Sequence, residues 1–121
     1  MVRLKVERMN KLDCNIVSWH KRAFPNATLE SQLLKLEEEV REVTEAQSRG
    51  DIDNVHKEMA DVYIVSVVLD KRFDSVIGRY FLWLTNAYPI PRLKELVGYK
   101  MEINKSRNWV CKDGVYRHAD R

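Results

Sequence analysis

The stretch Leu33–Leu69, LLKLEEEVREVTEAQSRGDIDNVHKEMADVYIVSVVL, decides how the chain folds. Leu29, Leu33, Leu36, Val40 and Val43 recur at alternating helical steps, which draws one apolar stripe along a helix. A second stripe runs beside it: Gln32, Lys35, Glu39, Glu42 and Ala46. Glu39 and Glu42 stand at i and i+3, so their carboxylates leave the helix on one side, at the border of the core. Glu38 lies nearly opposite the apolar stripe but close in angle to Glu42. Glu37 and Glu45 read as solvated charges. Gly50 suits the C′ position of this helix, and Asp51 or Asp53 caps the next one. The short RGDID connection then makes an antiparallel helix hairpin.

The second helix repeats the pattern. Glu58 and Asp61 are again i and i+3, and Val62, Val65 and Leu69 continue their face. From Val62 to Leu69 the chain is apolar nearly all round, which predicts deep burial. The run is rich in β-branched residues and by propensity alone could be a strand. Length argues for helix, because the periodic segment starts at Ile52 and no turn residue separates Glu58 from Val62. Four carboxylates held together at a core border repel one another and shift upward in pKa. A divalent cation relieves that repulsion. Mg²⁺, with Mn²⁺ as a substitute, prefers such hard oxygen ligands and shares its sphere with phosphates and water. The plainer reading of any one Glu-rich helix is a solvated face. Two acidic pairs on adjacent helices favour a metal site of Glu39, Glu42, Glu58 and Asp61.

Lys35-Leu36-x-Glu38-Glu39-x-x-Glu42 followed by Glu58-x-x-Asp61 resembles the signature of MazG-like nucleotide pyrophosphohydrolases, in the all-α NTP pyrophosphatase superfamily. The resemblance spans about Trp19 to Arg107. It implies Mg²⁺-dependent hydrolysis of a nucleoside triphosphate (NTP or dNTP) to a monophosphate and pyrophosphate, in nucleotide-pool clean-up. Within the same superfamily it leaves open phosphoribosyl-ATP pyrophosphohydrolase or dUTPase-like activity. On this reading Glu38 and Glu39 are the catalytic candidates, with Glu38 orienting a water or accepting its proton.

At 121 residues one domain, 1–121, is expected. A net charge of +3 with 32% charged residues implies no particular partner. The opening MVRLKVERMNK has no apolar core of a signal peptide, and no apolar run approaches membrane-spanning length, so a cytoplasmic protein without a membrane partner is expected. Cys14 and Cys111 form no CxxC, and His20, His56 and His118 show no zinc spacing. A first helix from about Met9 to Ala23 carries Leu12, Ile16, Trp19 and Ala23 as its stripe; Pro25-Asn26 ends it and Thr28 caps the motif helix. Trp19 and Phe24 read first as core aromatics. The resemblance adds a base pocket of Trp19, His20 and Phe24, while His20 by position reads as an exposed helix residue.

Asp74-Ser75 caps a further helix, with Val76, Ile77, Tyr80, Phe81 and Leu84 expected inward and Trp83 in the core or an interface. This segment, 73–90, exceeds what many MazG-like domains place there. Pro91 fits N1 of a last helix with Leu93, Leu96 and Val97 on its apolar face. Lys100, Asn104 and Arg107 continue that face at i, i+4 and i+7. Cations aimed inward want anions, either the carboxylates or a polyphosphate, and the resemblance assigns phosphate contacts here. The phosphate-binding set is thus Lys100, Asn104, Lys105 and Arg107. Asp113-Gly114 marks a two-residue β-hairpin turn. The tail's Lys112, Arg117 and Arg121 raise a nucleic-acid alternative, which Asp113 and Asp120 dilute.

The expected fold is all-α: an antiparallel helix hairpin carrying the acids, within a four- to five-helix domain that closes with a small C-terminal β-hairpin. The hairpin alone cannot cover Val62–Leu69 and the flanking stripes, so a homodimer or homotetramer is expected. A non-enzymatic helical interaction module is the alternative from another class.

Overall fold

The computed structural model of the chain describes residues 10–119. Met9, Asp120, Arg121 and most of MVRLKVERMNK lie outside the described residues. Five α-helices run in order: α1 (Lys11–Ala23), α2 (Leu29–Ser48), α3 (Ile52–Val67), α4 (Val76–Ala87) and α5 (Leu93–Ser106). A two-stranded hairpin follows, β1 (Trp109–Lys112) and β2 (Val115–His118).

The local chemistry behind these boundaries is visible. Asn10 caps α1 through Asp13 N–H. Thr28 and Ser31 make a reciprocal capping box on α2, with bonds of 3.0 and 2.9 Å. Gly50 takes φ +69° just past α2, and Asp51 caps α3. Asp113 and Gly114 both have positive φ, as a type I′ turn requires, and the strands pair antiparallel from Trp109↔His118 to Lys112↔Val115.

Helix α3 is central because α1, α2, α4 and α5 share its circumference. On one side Ala60, Tyr63, Ile64 and Val67 meet Ile16 and Val17 of α1 and Leu93, Val97 and Met101 of α5. On another, Val62 and Leu69 pack with Leu36, Leu33, Val40 and Val43 of α2. Burying each such side chain contributes about 1.5–3 kcal/mol. The β-branched run is therefore helical despite its propensity, since only a helix presents residues to partners all round. A third cluster, Phe24, Ala27 and Tyr116, fastens the hairpin beneath α1.

After Val67 the helix widens into a π-helical turn, Val68–Arg72. No local pattern in the sequence announces this turn. It brings Arg72 against α1, where its guanidinium donates to the carbonyls of His20 (3.3 Å) and Phe24 (3.0 Å).

Two expectations need correction. Val76, Ile77, Tyr80 and Leu84 face outward, with Val76 72% and Trp83 62% exposed. The buried face of α4 is instead Gly78, Phe81, Leu82 and Thr85. Gly78 explains the choice: a Cβ there would meet Leu69 Cβ and lie 2.6 Å from the Asp70 amide nitrogen. Close backbone approach at this glycine sets the helix rotation and turns the larger apolar residues outward. Likewise Pro91 is not N1 of α5; it sits in a turn before Arg92, whose φ of +58° makes it the N-cap. No helix among the described residues is long and apolar enough to cross a membrane.

Candidate functional site

The two acidic pairs meet across the α2–α3 interface. One carboxylate oxygen from each of Glu39, Glu58 and Asp61 lies within 4.8 Å of the others. Oε2 of Glu39 and Oε2 of Glu58 are buried with no hydrogen-bond partner. Such orphaned buried carboxyl oxygens are costly and are absent from most cores. Glu42 is more exposed and stands at the rim of the same cleft.

The electrostatics follow from this crowding. Burial, then the charges of Asp61 and Glu42, pushes Glu39 up to about 9. Burial, then the neighbouring Glu42 carboxyl, pushes Glu58 up to about 7. Burial also raises Asp61, opposed by Lys100, whose Nζ sits 3.1 Å from Asp61 Oδ2. Glu38 behaves oppositely. Arg117 of β2 donates to both its oxygens (2.7 and 3.2 Å), Lys35 lies 3.5 Å away, and its carboxyl is held below the usual range, chiefly by the Arg117 bonds.

These groups line one cleft of about 370 Å³, a size that suits a small ligand. At one end stand the acids with Lys100, Asn104 and Arg107. At the other stand Trp19, His20, Phe24, Gln32, Trp109, Tyr116 and His118. Lys100, Asn104 and Arg107 thus reach the cleft from the last turns of α5, as their spacing implied. Lys105 is exposed and does not line it, because its helical position turns away from the Lys100–Asn104 face. Trp19 and Phe24 are both packing residues and cleft residues, their rings 5.0 Å apart edge-to-face.

His20 is 3% exposed, which corrects its expected position on the outer face of α1. Arg72 and Phe24 cover it: the guanidinium lies 2.6 Å from Nδ1 and the Phe24 ring 4.9 Å from the imidazole. Burial first, then the Arg72 charge, lowers its pKa to about 3, so the ring is neutral.

The hairpin's share of the site went unread in the sequence. Trp109 stands 6.3 Å from Trp19 and 5.0 Å from Phe24, and its indole N–H donates to the Asn104 carbonyl at 2.9 Å. Tyr116 stacks on Phe24 at 4.2 Å, and its hydroxyl accepts from Asn26 N–H. Gln32 was visible only as a polar member of the stripe that carries Glu39 and Glu42.

Residues 27–74 match the family model of the MazG nucleotide pyrophosphohydrolase domain. That segment is similar to the MazG domain. The match takes in α2, α3 and the π-helical turn, hence Glu39, Glu42, Glu58 and Asp61, and it points to nucleotide pyrophosphohydrolase chemistry. Helices α1, α4 and α5 and the hairpin lie beyond the matched residues. No curated protein and no solved structure matches the chain.

The donor set fits a hard divalent cation. It is all oxygen, it carries unused lone pairs on Glu39 and Glu58, and its own repulsion raises the carboxyl pKa values until a cation offsets it.

Proposed function

We propose that the chain hydrolyses nucleoside triphosphates to a monophosphate and pyrophosphate with Mg²⁺, Mn²⁺ serving as substitute. The observation that carries this is the juxtaposition, in one nucleotide-sized cleft, of three converging carboxylates, two of them with an orphaned oxygen, and Lys100, Asn104 and Arg107.

Glu39, Glu58 and Asp61 would hold the cation, with Glu42 at the rim. Bound there, Mg²⁺ neutralises polyphosphate charge and lowers the pKa of water. Lys100, Asn104 and Arg107 bind phosphate oxygens and follow the charge as it shifts toward the leaving group. Lys100 gives up its bond to Asp61 as it does so. Glu38 is kept ionised by Arg117 and can accept a proton from the attacking water. The aromatic end receives the base and keeps bulk water from the reacting atoms.

The homo-oligomer expected from the sequence remains part of this reading. Its support is the outward apolar ridge of α4, from Val76 through Tyr80 to Trp83, which a second copy would cover. Sedimentation equilibrium reads the state directly. A single domain working in the cytoplasm on nucleotide pools completes the proposal.

The test is pyrophosphate release from a panel of NTPs and dNTPs, with Mg²⁺ or with EDTA, for the wild type and Glu39→Gln. Mg²⁺-dependent release that the substitution abolishes supports the reading. A folded protein that turns over no nucleotide and gains no thermal stability from Mg²⁺ leaves the interaction-module alternative.

A further inference from the structure

Arg117 joins the two ends of the cleft. Its neighbours on β2, Tyr116 and His118, line the aromatic end, whereas its guanidinium lies on Glu38, the residue before Glu39 of the acidic set. Other contacts fix the backbone that carries it. Tyr116 stacks on Phe24 at 4.2 Å and accepts from Asn26 N–H at 3.1 Å, and Trp109 on the paired strand donates to the Asn104 carbonyl at 2.9 Å. The hairpin therefore keeps its place without the Arg117–Glu38 pair.

The geometry of that pair is the one an arginine uses on a phosphate. Nη1 and Nη2 donate to the two oxygens of one carboxylate, at 3.2 and 2.7 Å, and a planar fork of this kind takes two oxygens of a phosphoryl group equally well. The arginine side of the pair is half-exposed, so little free energy is lost when the guanidinium changes partner. Lys35, 3.5 Å from Glu38 Oε2, stays behind to balance the carboxylate.

In a nucleoside triphosphate, the sugar and the α-phosphate lie between the base and the outer phosphates. Of the two, only the α-phosphate is an anion. Resting on the nucleotide reading above, we propose that Arg117 is a substrate-binding residue that holds the α-phosphate, exchanging the Glu38 oxygens for two of the phosphate's. Until substrate arrives, Glu38 keeps the fork in the cleft wall. The two walls then divide the products: the hairpin holds the phosphate that stays with the nucleoside, and Lys100, Asn104 and Arg107 of α5 serve the pyrophosphate that leaves.

Binding of the two products separates this role from a merely structural tie, which would move both alike. Titration calorimetry in excess Mg²⁺ gives Kd for inorganic pyrophosphate and for the monophosphate of the nucleotide that the wild type turns over fastest. Arg117→Met should raise the monophosphate Kd about tenfold, the scale of a lost charge-assisted hydrogen bond, and leave the pyrophosphate Kd within about twofold. Arg117→Lys keeps the charge without the fork and should recover only part of that loss. It carries the same comparison if the methionine variant does not fold. An equal change in both constants, a change confined to pyrophosphate, or no change overturns the assignment of Arg117 and leaves the proposed function standing. So does a wild type that turns nucleotides over but binds no monophosphate at millimolar concentration. No turnover of any nucleotide overturns the proposed function and this assignment together.

Discussion

Glu39 should destabilise the metal-free protein at alkaline pH, and replacing it with glutamine should remove that effect. The folded-state pKa is raised, to about 9 against an ordinary 4.5. The sign follows from proton counting. Between those values the unfolded chain has lost the Glu39 proton and the folded chain keeps it, so stability falls as pH rises. The slope is at most about 1.4 kcal/mol per pH unit. From about pH 5.5 to about pH 8 the ceiling is about 3.4 kcal/mol for Glu39. Its coupling to Glu58 and Asp61, and the partial exposure of the cluster, reduce this to about 2 kcal/mol. The assay is urea unfolding in EDTA at both pH values, wild type against Glu39→Gln. The wild type should lose about 2 kcal/mol more than the variant across the interval. His20, which titrates in the opposite sense, is present in both and cancels. Mg²⁺ added at the upper pH should restore the wild type and leave the variant unmoved. Parallel pH profiles for the two proteins would refute the claim that these oxygens are buried and crowded.

Further outcomes rest on single contacts. Gly78→Ala should cost about 1–3 kcal/mol in chemical denaturation, because the new Cβ meets Leu69 Cβ and the Asp70 backbone, neither of which is a flexible side-chain end. Tyr63→Phe should cost about 1–3 kcal/mol, since its hydroxyl donates to buried Asp13 at 2.7 Å and accepts from Lys94 at 2.9 Å. His20, with its folded pKa lowered to about 3 from 6.5, contributes stability that is present above pH 6.5 and is lost as pH falls through that window. His20→Gln should therefore flatten the acid limb of a melting-temperature profile. Arg117→Gln should cost less than about 1 kcal/mol in stability, because the pair with Glu38 is exposed on the arginine side, but should raise the acid limb of the kcat/KM profile as Glu38 returns toward its ordinary range.

What could be read from the sequence was whatever obeys a short-range period. Glu39 and Glu42, Glu58 and Asp61, and Lys100 with Asn104 are each set by helical spacing, and the structure brings them to one cleft. The Asp113-Gly114 turn is equally local, since its two positive φ values suit that dipeptide. What spacing could not show is contact between distant segments. Nothing near His20 in the chain announces Arg72, because the π-helical turn that carries it shifts the helical phase after Val67. Trp109 and Arg117 reach α1 and α2 only through the folded hairpin. Helix α4 misled for a different reason: apolar count favoured Val76, Ile77 and Tyr80 as its inner face, and one close backbone approach at Gly78 overrode it.

The hairpin also has a kinetic meaning. Tyr116 meets Asn26 across 90 positions, and Arg117 meets Glu38 across 79. The α2–α3 pair that carries the acids closes through a turn of a few residues. Loop-closure entropy therefore lets the acidic end assemble early, whereas the aromatic end waits for the last residues of the chain. The same ordering governs opening in the native state. Amides of β1 and β2 should exchange with solvent well before those of α3, on a free-energy scale below global unfolding. The acidic end of the cleft should therefore outlast the aromatic end when the native state opens locally.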